Sequence, residues 1–510
     1  MLAQIESAVL VGIEARRILV EVDVAHGLPA FNIVGLPEGA VRESRERVRS
    51  AIKNSGYEFP QRRITINLAP ADLRKEGTGL DLPIAMAILC CTGQVDPEHV
   101  RKALFLGELA LDGTLRRTKG VLPITLGAKK WGIEYIVVAH ENGGEAAIVR
   151  GPSVLAPTHL SDVVRHFTGE ETITPFEINL DAHSRKKPDG GIDFFDVVGQ
   201  EHAKRALEIA AAGGHNCLLS GPPGSGKTML ARRLPTILPR MTLEEALETT
   251  SIHSVAGTLP PGIYLMEERP FCAPHHTISD AGLVGGGTNP RPGQVSLAHN
   301  GVLFLDELPE FRKNVLEALR QPMEDGYVTI SRVKHSVVYP ARFTLIAAQN
   351  LCPCGRLGDP RGGCTCTVTQ INRYQSRASG PLLDRIDLHI NVPQVPVDEL
   401  RDDARREHSS AIRARVEAAR KLQQKRFQNT NKIHSNAHMG PSEIREFCRL
   451  TSEDLDFLEG AVRKLGLSAR AYHKVLKVAR TIADLEGEAS IKRVHLAEAI
   501  QYRLQDPGTI

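Results

Sequence analysis

The sequence predicts a multidomain α/β protein: a parallel sheet covered by helices on both faces, preceded by a mixed α/β domain and followed by a helical one. Three observations predict it. The 510 residues exceed what one hydrophobic core organises, at roughly 100–200 residues per domain. Short β runs at 216–220, 301–305 and 343–348 alternate with helical stretches over residues 192–395, the pattern of a parallel sheet wrapped on both sides. After Pro396 apolar residues recur at i, i+3, i+4, as in a small bundle.

Residues 1–170 read as the first domain. Residues 18–24 and 62–68 alternate apolar and polar positions as half-buried strands do, and 82–91 reads as a buried helix. That helix is the longest apolar stretch and about half of what a bilayer span needs. The apolar pattern fades over 171–191, where charge and breakers (Arg185-Lys-Lys-Pro-Asp-Gly-Gly191) mark a linker. The parallel-sheet domain follows at 192–395 and the helical domain at 396–510, where residues 401–432 carry ten Lys/Arg against four Asp/Glu. A solvated helix face and a DNA contact are both readings of that run.

Apolar residues at 42% and charged residues at 24% exclude wholesale disorder and a fibrous repeat. A net charge of +3 does not by itself indicate a nucleic-acid partner. Met1 is followed by no basic leader and apolar core, so a cytoplasmic protein with no membrane partner is expected. Nine cysteines without a secretory leader argue against a disulfide framework and for reading any Cys cluster first as a metal site.

Gly221, Pro222, Pro223, Gly224, Ser225, Gly226, Lys227 and Thr228 spell G-x-x-x-x-G-K-[ST] between a predicted strand and a predicted helix. Glycines let backbone N–H groups turn in around a β-phosphate, and the helix N-terminus adds its positive dipole. Lys227 reaches the β/γ oxygens and the Thr228 hydroxyl ligates Mg²⁺, so ATP with Mg²⁺ is the expected cofactor pair. Residues 301–307 form an apolar strand ending in Asp306 and Glu307. Strand ends in such sheets face the ligand crevice, making Asp306 the Mg²⁺ partner and Glu307 the base for the attacking water. A third strand ends in Asn350, whose amide could orient that water.

Cys352-x-Cys354 and Cys364-x-Cys366 could place four thiolates on one Zn²⁺ beside that strand; reduced, unliganded loop cysteines are the alternative, because C-x-C bites more tightly than the usual C-x₂₋₄-C pair. Cys90, Cys91, Cys217, Cys272 and Cys448 read as small buried apolar residues. His275 and His276 read as structural loop residues. Residues 327–339 read as a β-hairpin with Arg332, Lys334 and His335 near its tip.

The phosphate loop and acidic strand tip together resemble the AAA+ P-loop ATPases and, within them, the magnesium-chelatase-like branch. Residues 285–293, 296–311, 352–355 and 379–387 are similar to the ComM/YifB family, and 469–473 with 478–484 extend the likeness into the C-terminal bundle. The resemblance implies an ATP-dependent, helicase-type motor. It would be a homo-hexamer acting on single-stranded and branched DNA, promoting branch migration in homologous recombination during natural transformation, with a link to a recombinase. It implies that Arg385 is an arginine finger completing a neighbour's pocket, that Arg470 is the sensor 2 arginine of the helical lid, and that the hairpin lines a pore. Two other readings stand beside it: the ATPase assembly subunit of a magnesium-chelatase-type complex, and a nucleotide-regulated scaffold. The chelatase subunit ordinarily lacks such a first domain and Cys cluster, and a scaffold needs no water-activating carboxylate. Residues 75–83 and 106–117 resemble the proteolytic domain of Lon, with Gly79 at the place of the serine nucleophile and Ala128 at that of the lysine base. Without a nucleophile no acyl-enzyme forms. A scaffold or DNA-handling domain is expected, with rescue of a dyad by Thr78 or Lys129 as the alternative.

Overall fold

The computed structural model describes residues 2–178, 191–287, 290–332, 335–358, 362–395, 406–428 and 433–503. Most of the expected linker, Lys334 of the hairpin, and both ends of the basic run fall outside them. The chain divides into two compact units, one of Met1–Lys187 with Ala246–Met266 and Val333–Val338, the other of Pro188–Glu245, Glu267–Arg332 and Tyr339–Ile510.

In the first unit, β1 (Leu2–Val11), β2 (Glu14–Ala25), β3 (Ala30–Val34), β4 (Arg63–Ala69), β5 (Ala103–Phe105), β6 (Tyr135–Val137) and β7 (Ser153–Leu155) form one sheet in the order β3-β4-β2-β1-β5-β6-β7. Alternation along β2 buries Ile18, Val20 and Val22 on one face, the period-2 signal read from the sequence. Helix α1 (Gly39–Asn54) follows β3, and α2 (Asp81–Cys91) is buried at all eleven of its residues, as an uninterrupted apolar run requires. The buried Asp81 carboxyl pairs with Arg47 at 2.7 Å, yet burial still pushes it up to about 6. Ala128 is fully buried in α3 (Val121–Lys130), the Thr78 hydroxyl is bonded to Glu108, and Lys129 is exposed. No hydrogen bond joins Thr78 to Lys129 among the described residues.

Residues 246–266 also belong to this unit, which the sequence did not announce. Their Leu247, Tyr264 and Leu265 pack on Leu122, Ile148 and Val149, and the Ser254 hydroxyl donates to the buried Glu145 carboxylate.

The second unit is built on five parallel strands, β8 (Cys217–Ser220), β9 (Phe271–Cys272), β10 (Val302–Leu305), β11 (Thr344–Gln349) and β12 (Leu388–Asn391), in the order β9-β10-β11-β8-β12. The non-sequential order means each crossover passes over a face, so β10 is buried at every residue and reads as a continuous apolar run. Helix α4 (Glu201–Gly213) leads into β8, and α5 (Lys227–Ile237) leaves it. After β12 come α6 (Ser409–Arg426), α7 (Ser452–Leu465), α8 (Ala469–Leu485) and α9 (Arg493–Gln501). Leu219, Ile346, Val416, Val475 and Leu496 share one buried cluster, so the helical region and the sheet have a common core. Tyr327–Arg332 and His335–Pro340 pair as a two-stranded ribbon.

Four arginines of the basic run are engaged within this unit. Arg413 donates to the Thr236 carbonyl at 2.8 Å, Arg415 to Glu208 at 2.6 Å, Arg420 to the Ala211 carbonyl at 3.0 Å and Arg426 to Asp484 at 2.8 Å. They bind α6 to its neighbours; counting charge along a chain misses internal acceptors of this kind. Among the described residues no helix is long and apolar enough to cross a membrane.

Candidate nucleotide-binding site

Because β8, β10 and β11 are adjacent and parallel, their carboxyl ends open on one side of the sheet. Ser220 is in register with Gln349, and Leu305 with Ala347, so the residues following β8, β10 and β11 meet there. The loop 221–226 turns into α5 at Gly226, whose φ of 91° is a left-handed conformation that a side chain would strain. At Gly221 a Cβ would collide with the Val392 carbonyl, so the chain can pass between β8 and β12 only as glycine.

Lys227 lies 8% exposed under the loop it follows. Its ammonium donates to the Gly221 carbonyl at 2.8 Å, to the Pro222 carbonyl at 2.9 Å and to Asn350 Oδ1 at 3.3 Å. Burial lowers its pKa, against the pull of Asp306. The Thr228 hydroxyl donates to Asp306 Oδ2 at 2.7 Å. Hydroxyl and carboxylate oxygens are the donors Mg²⁺ prefers, so this pair fits the ion. Glu307 has φ 54° and ψ 48°, one of four described non-glycine residues with positive φ. A left-handed residue two positions beyond the end of a buried strand turns the chain off the sheet, and 54% of the Glu307 side chain is exposed.

Four expected residues thus converge: Lys227, Thr228, Asp306 and Asn350, with Glu307 next in sequence. Two arginines do not join them. Arg385 donates to the Pro381 carbonyl at 2.7 Å and pairs with Glu324 at 2.5 Å, with its side chain 11% exposed. Arg470 stands exposed at the start of α8 with no hydrogen bond or ion pair among the described residues.

A buried polar group lies behind Arg385. Asp387 forms an ion pair with Lys474 on α8 at 2.8 Å and accepts from His215 Nδ1 at 3.1 Å, while His215 Nε2 meets the Thr481 hydroxyl of α8 at 2.8 Å. Burial would raise the Asp387 carboxyl, but Lys474 and His215 outweigh it and hold it far below the usual range. Asn216, at the root of β8, donates its side-chain amide to the Arg385 carbonyl at 3.4 Å and accepts from the Leu345 N–H at 2.8 Å.

The four sulfurs of Cys352, Cys354, Cys364 and Cys366 all lie within 4.8 Å of one another, with 3.4 Å from Cys352 to Cys354 and 3.8 Å from Cys364 to each of those two. A tetrahedral zinc at about 2.3 Å from each sulfur sets the sulfurs about 3.8 Å apart, so the donor set fits. The Leu357 N–H donates to Cys352 Sγ at 3.3 Å. Backbone N–H groups of Arg356 and Thr365 pull the Cys354 thiol down to about 6, while Cys364 and Cys366 shift the opposite way beside the other sulfurs. This loop bears on the phosphate loop: a Cβ on Gly355 would stand 2.6 Å from Pro223 Cγ. Of the other cysteines, Cys90, Cys91, Cys217 and Cys448 are buried as expected and Cys272 is half-buried.

Two residues at this site carried no functional reading in the sequence: His276, taken as a structural loop residue, and Gln200. His276 Nδ1 lies 3.5 Å from Glu307 Oε2, on the loop after β9, and stacks with His275 at 4.1 Å between ring centroids. Only the adjacency of β9 and β10 in the sheet creates that contact. Gln200, left-handed at φ 59°, donates to the carbonyls of Ser225 at 3.4 Å and Pro393 at 2.5 Å. A lone glutamine before a helix gives no signal in one sequence.

Three family models match the chain: "Magnesium chelatase, subunit ChlI" over residues 193–400, "Subunit ChlI of Mg-chelatase" over 20–142, and "Magnesium chelatase, subunit ChlI C-terminal" over 406–503. The chain is 47% identical to competence protein ComM of Haemophilus influenzae across 98% of its own length and 97% of that protein's. It is 45% identical to the YifB protein of Escherichia coli across 99% and 97%. Over 28% of its length it is 32% identical to Lon protease 2 of Bacillus subtilis, covering 27% of that protein.

Proposed function

Since the chain belongs to the ComM/YifB family of magnesium-chelatase-like AAA+ proteins, we propose that it is an ATP hydrolase working as a homo-hexameric DNA motor. It acts on single-stranded and branched DNA, driving branch migration as incoming DNA is integrated during natural transformation, in partnership with a recombinase in the cytoplasm. The observation that carries the reading is the convergence of Lys227, Thr228, Asp306 and Asn350 at the open ends of three parallel strands.

In this reading the N–H groups of residues 221–226 and the Lys227 ammonium bind the β- and γ-phosphates, the ammonium exchanging its loop carbonyls for phosphate oxygens. Thr228 and Asp306 would hold Mg²⁺, which supplies neutralising charge on those oxygens when bound. Glu307 accepts the proton of the attacking water and Asn350 orients that water. Arg385, outside its own pocket, completes the pocket of the next subunit, and Arg470 closes on the nucleotide from the helical lid. The ribbon 327–340 would face the DNA, and the first domain serves as a scaffold or DNA-handling unit. The four cysteines hold a structural Zn²⁺ that stiffens the loop leaning on Pro223.

ATP turnover measured with forked, four-way, single-stranded and duplex DNA tests this. A several-fold rise with branched or single-stranded DNA is expected; turnover indifferent to all four would remove the motor. The second reading, an ATPase assembly subunit of a magnesium-chelatase-type complex, draws on the descriptions of the three matching family models. It predicts ordinary turnover with no DNA response. For the cysteines, elemental analysis of protein purified without chelator is expected to find one zinc per chain, and clearly less than one sinks the assignment.

A further inference from the structure

The chain's net charge is only +3, yet residues 39–63 alone hold seven Lys/Arg against three Glu. The structure concentrates that excess further. Arg42, Arg45, Arg49 and Lys53 recur along α1 at i, i+3, i+7 and i+11, one stripe about 16 Å long. The opposite side of the helix, Val41, Ser44, Val48, Ala51 and Ile52, faces the core. Arg42, Arg45 and Lys53 are exposed and Arg49 is half-buried. Arg45 meets Glu46 at 3.4 Å, an exposed pair of small energetic weight.

Beside the stripe lie two aromatic rings. Phe31, on the edge strand β3, and Phe59, just before β4, stack with centroids 6.4 Å apart and planes 17° from parallel. Each ring carries a guanidinium: Arg45 stands 6.0 Å from the Phe31 centroid and Arg49 6.0 Å from that of Phe59. Arg62 and Arg63 extend the basic surface at the start of β4. Rings that each carry a guanidinium 6.0 Å from the centroid, next to a line of mostly exposed cations, pair a stacking platform with a track for phosphates, the combination by which single strands are held without reading sequence. A duplex offers no unstacked bases to such a platform, and an anionic membrane would use the charges alone.

We propose that α1 and the Phe31–Phe59 pair form a binding surface for single-stranded DNA on the first unit; this rests on the DNA reading above and adds to it a site apart from the ATPase sheet. The test is fluorescence anisotropy of a labelled oligothymidylate with the full chain across a salt series. The variant Arg42→Gln/Arg45→Gln/Arg49→Gln/Lys53→Gln, with circular dichroism and Tm matching the parent, is expected to bind at least tenfold more weakly. Its slope of log K against log salt should be shallower by about 3, at about 0.7 for each phosphate the variant no longer neutralises. Phe31→Leu/Phe59→Leu keeps the apolar bulk, and is expected to weaken binding several-fold with the slope unchanged. A quadruple variant within twofold of the parent overturns the surface while leaving the motor intact. So does a loss confined to anionic vesicles with oligonucleotide affinity preserved. A parent chain that binds no oligonucleotide at all takes down both this surface and the DNA reading it rests on.

Discussion

Glu307→Gln protein is expected to bind ATP with parental affinity and to hydrolyse it about 10²–10⁴-fold more slowly. The amide keeps the size and the left-handed backbone of the residue but cannot take a proton from water. Thr228 and Asp306 are untouched, so the Mg²⁺ oxygens and the phosphate loop stay in place. Lys227→Ala should separate from it by losing tight ATP binding itself, because its buried ammonium is the cation held against the loop carbonyls. Equilibrium binding of a fluorescent ATP analogue and steady-state phosphate release distinguish the two. Normal turnover by Glu307→Gln would strike the residue from its assigned role.

Arg385→Ala is expected to lose turnover by about 10³-fold or more, the scale at which an arginine stabilises the charge on a transferring phosphoryl group. Within its own subunit it is tied to Glu324 and the Pro381 carbonyl, not to the residues of the phosphate loop. Mixing Arg385→Ala with Lys227→Ala protein should therefore recover activity. In the proposed hexamer the first would supply an intact phosphate loop and the second an intact arginine, which together would complete one pocket. Glu324→Gln is the control, expected to change turnover less than twofold because an ion pair with so exposed a partner has little energetic weight. If mixing restores nothing while each parent-like interface forms, the arginine does not act across subunits.

What was legible in the sequence is what is local. The phosphate loop, Asp306, Glu307 and Asn350 announce themselves because a strand, its last residues and the turn that follows are contiguous, and α2 because an unbroken apolar run needs burial on all sides. The two C-x-C pairs were readable as a zinc site despite a tighter bite than the usual spacing, and all four sulfurs lie within 4.8 Å of one another. What escaped depends on which strands become neighbours. His276 reaches Glu307 because β9 lies beside β10, and Ser254 reaches Glu145 because residues 246–266 pack in the first unit. Charge counts along the chain say little about exposure: Arg413, Arg415, Arg420 and Arg426 of the basic run find internal acceptors, while Arg42, Arg45 and Lys53 on α1 stand exposed.

Asp387 sits two residues beyond Arg385, and Lys474 one helical turn beyond Arg470, and these two neighbours are joined inside the protein by an ion pair that His215 and Thr481 brace from behind. Such a splice has little give. Separating the two would leave the Asp387 carboxylate buried without its cation, at a cost of about 3–5 kcal/mol, so a displacement of α8 is resisted at the foot of the strand next to Arg385.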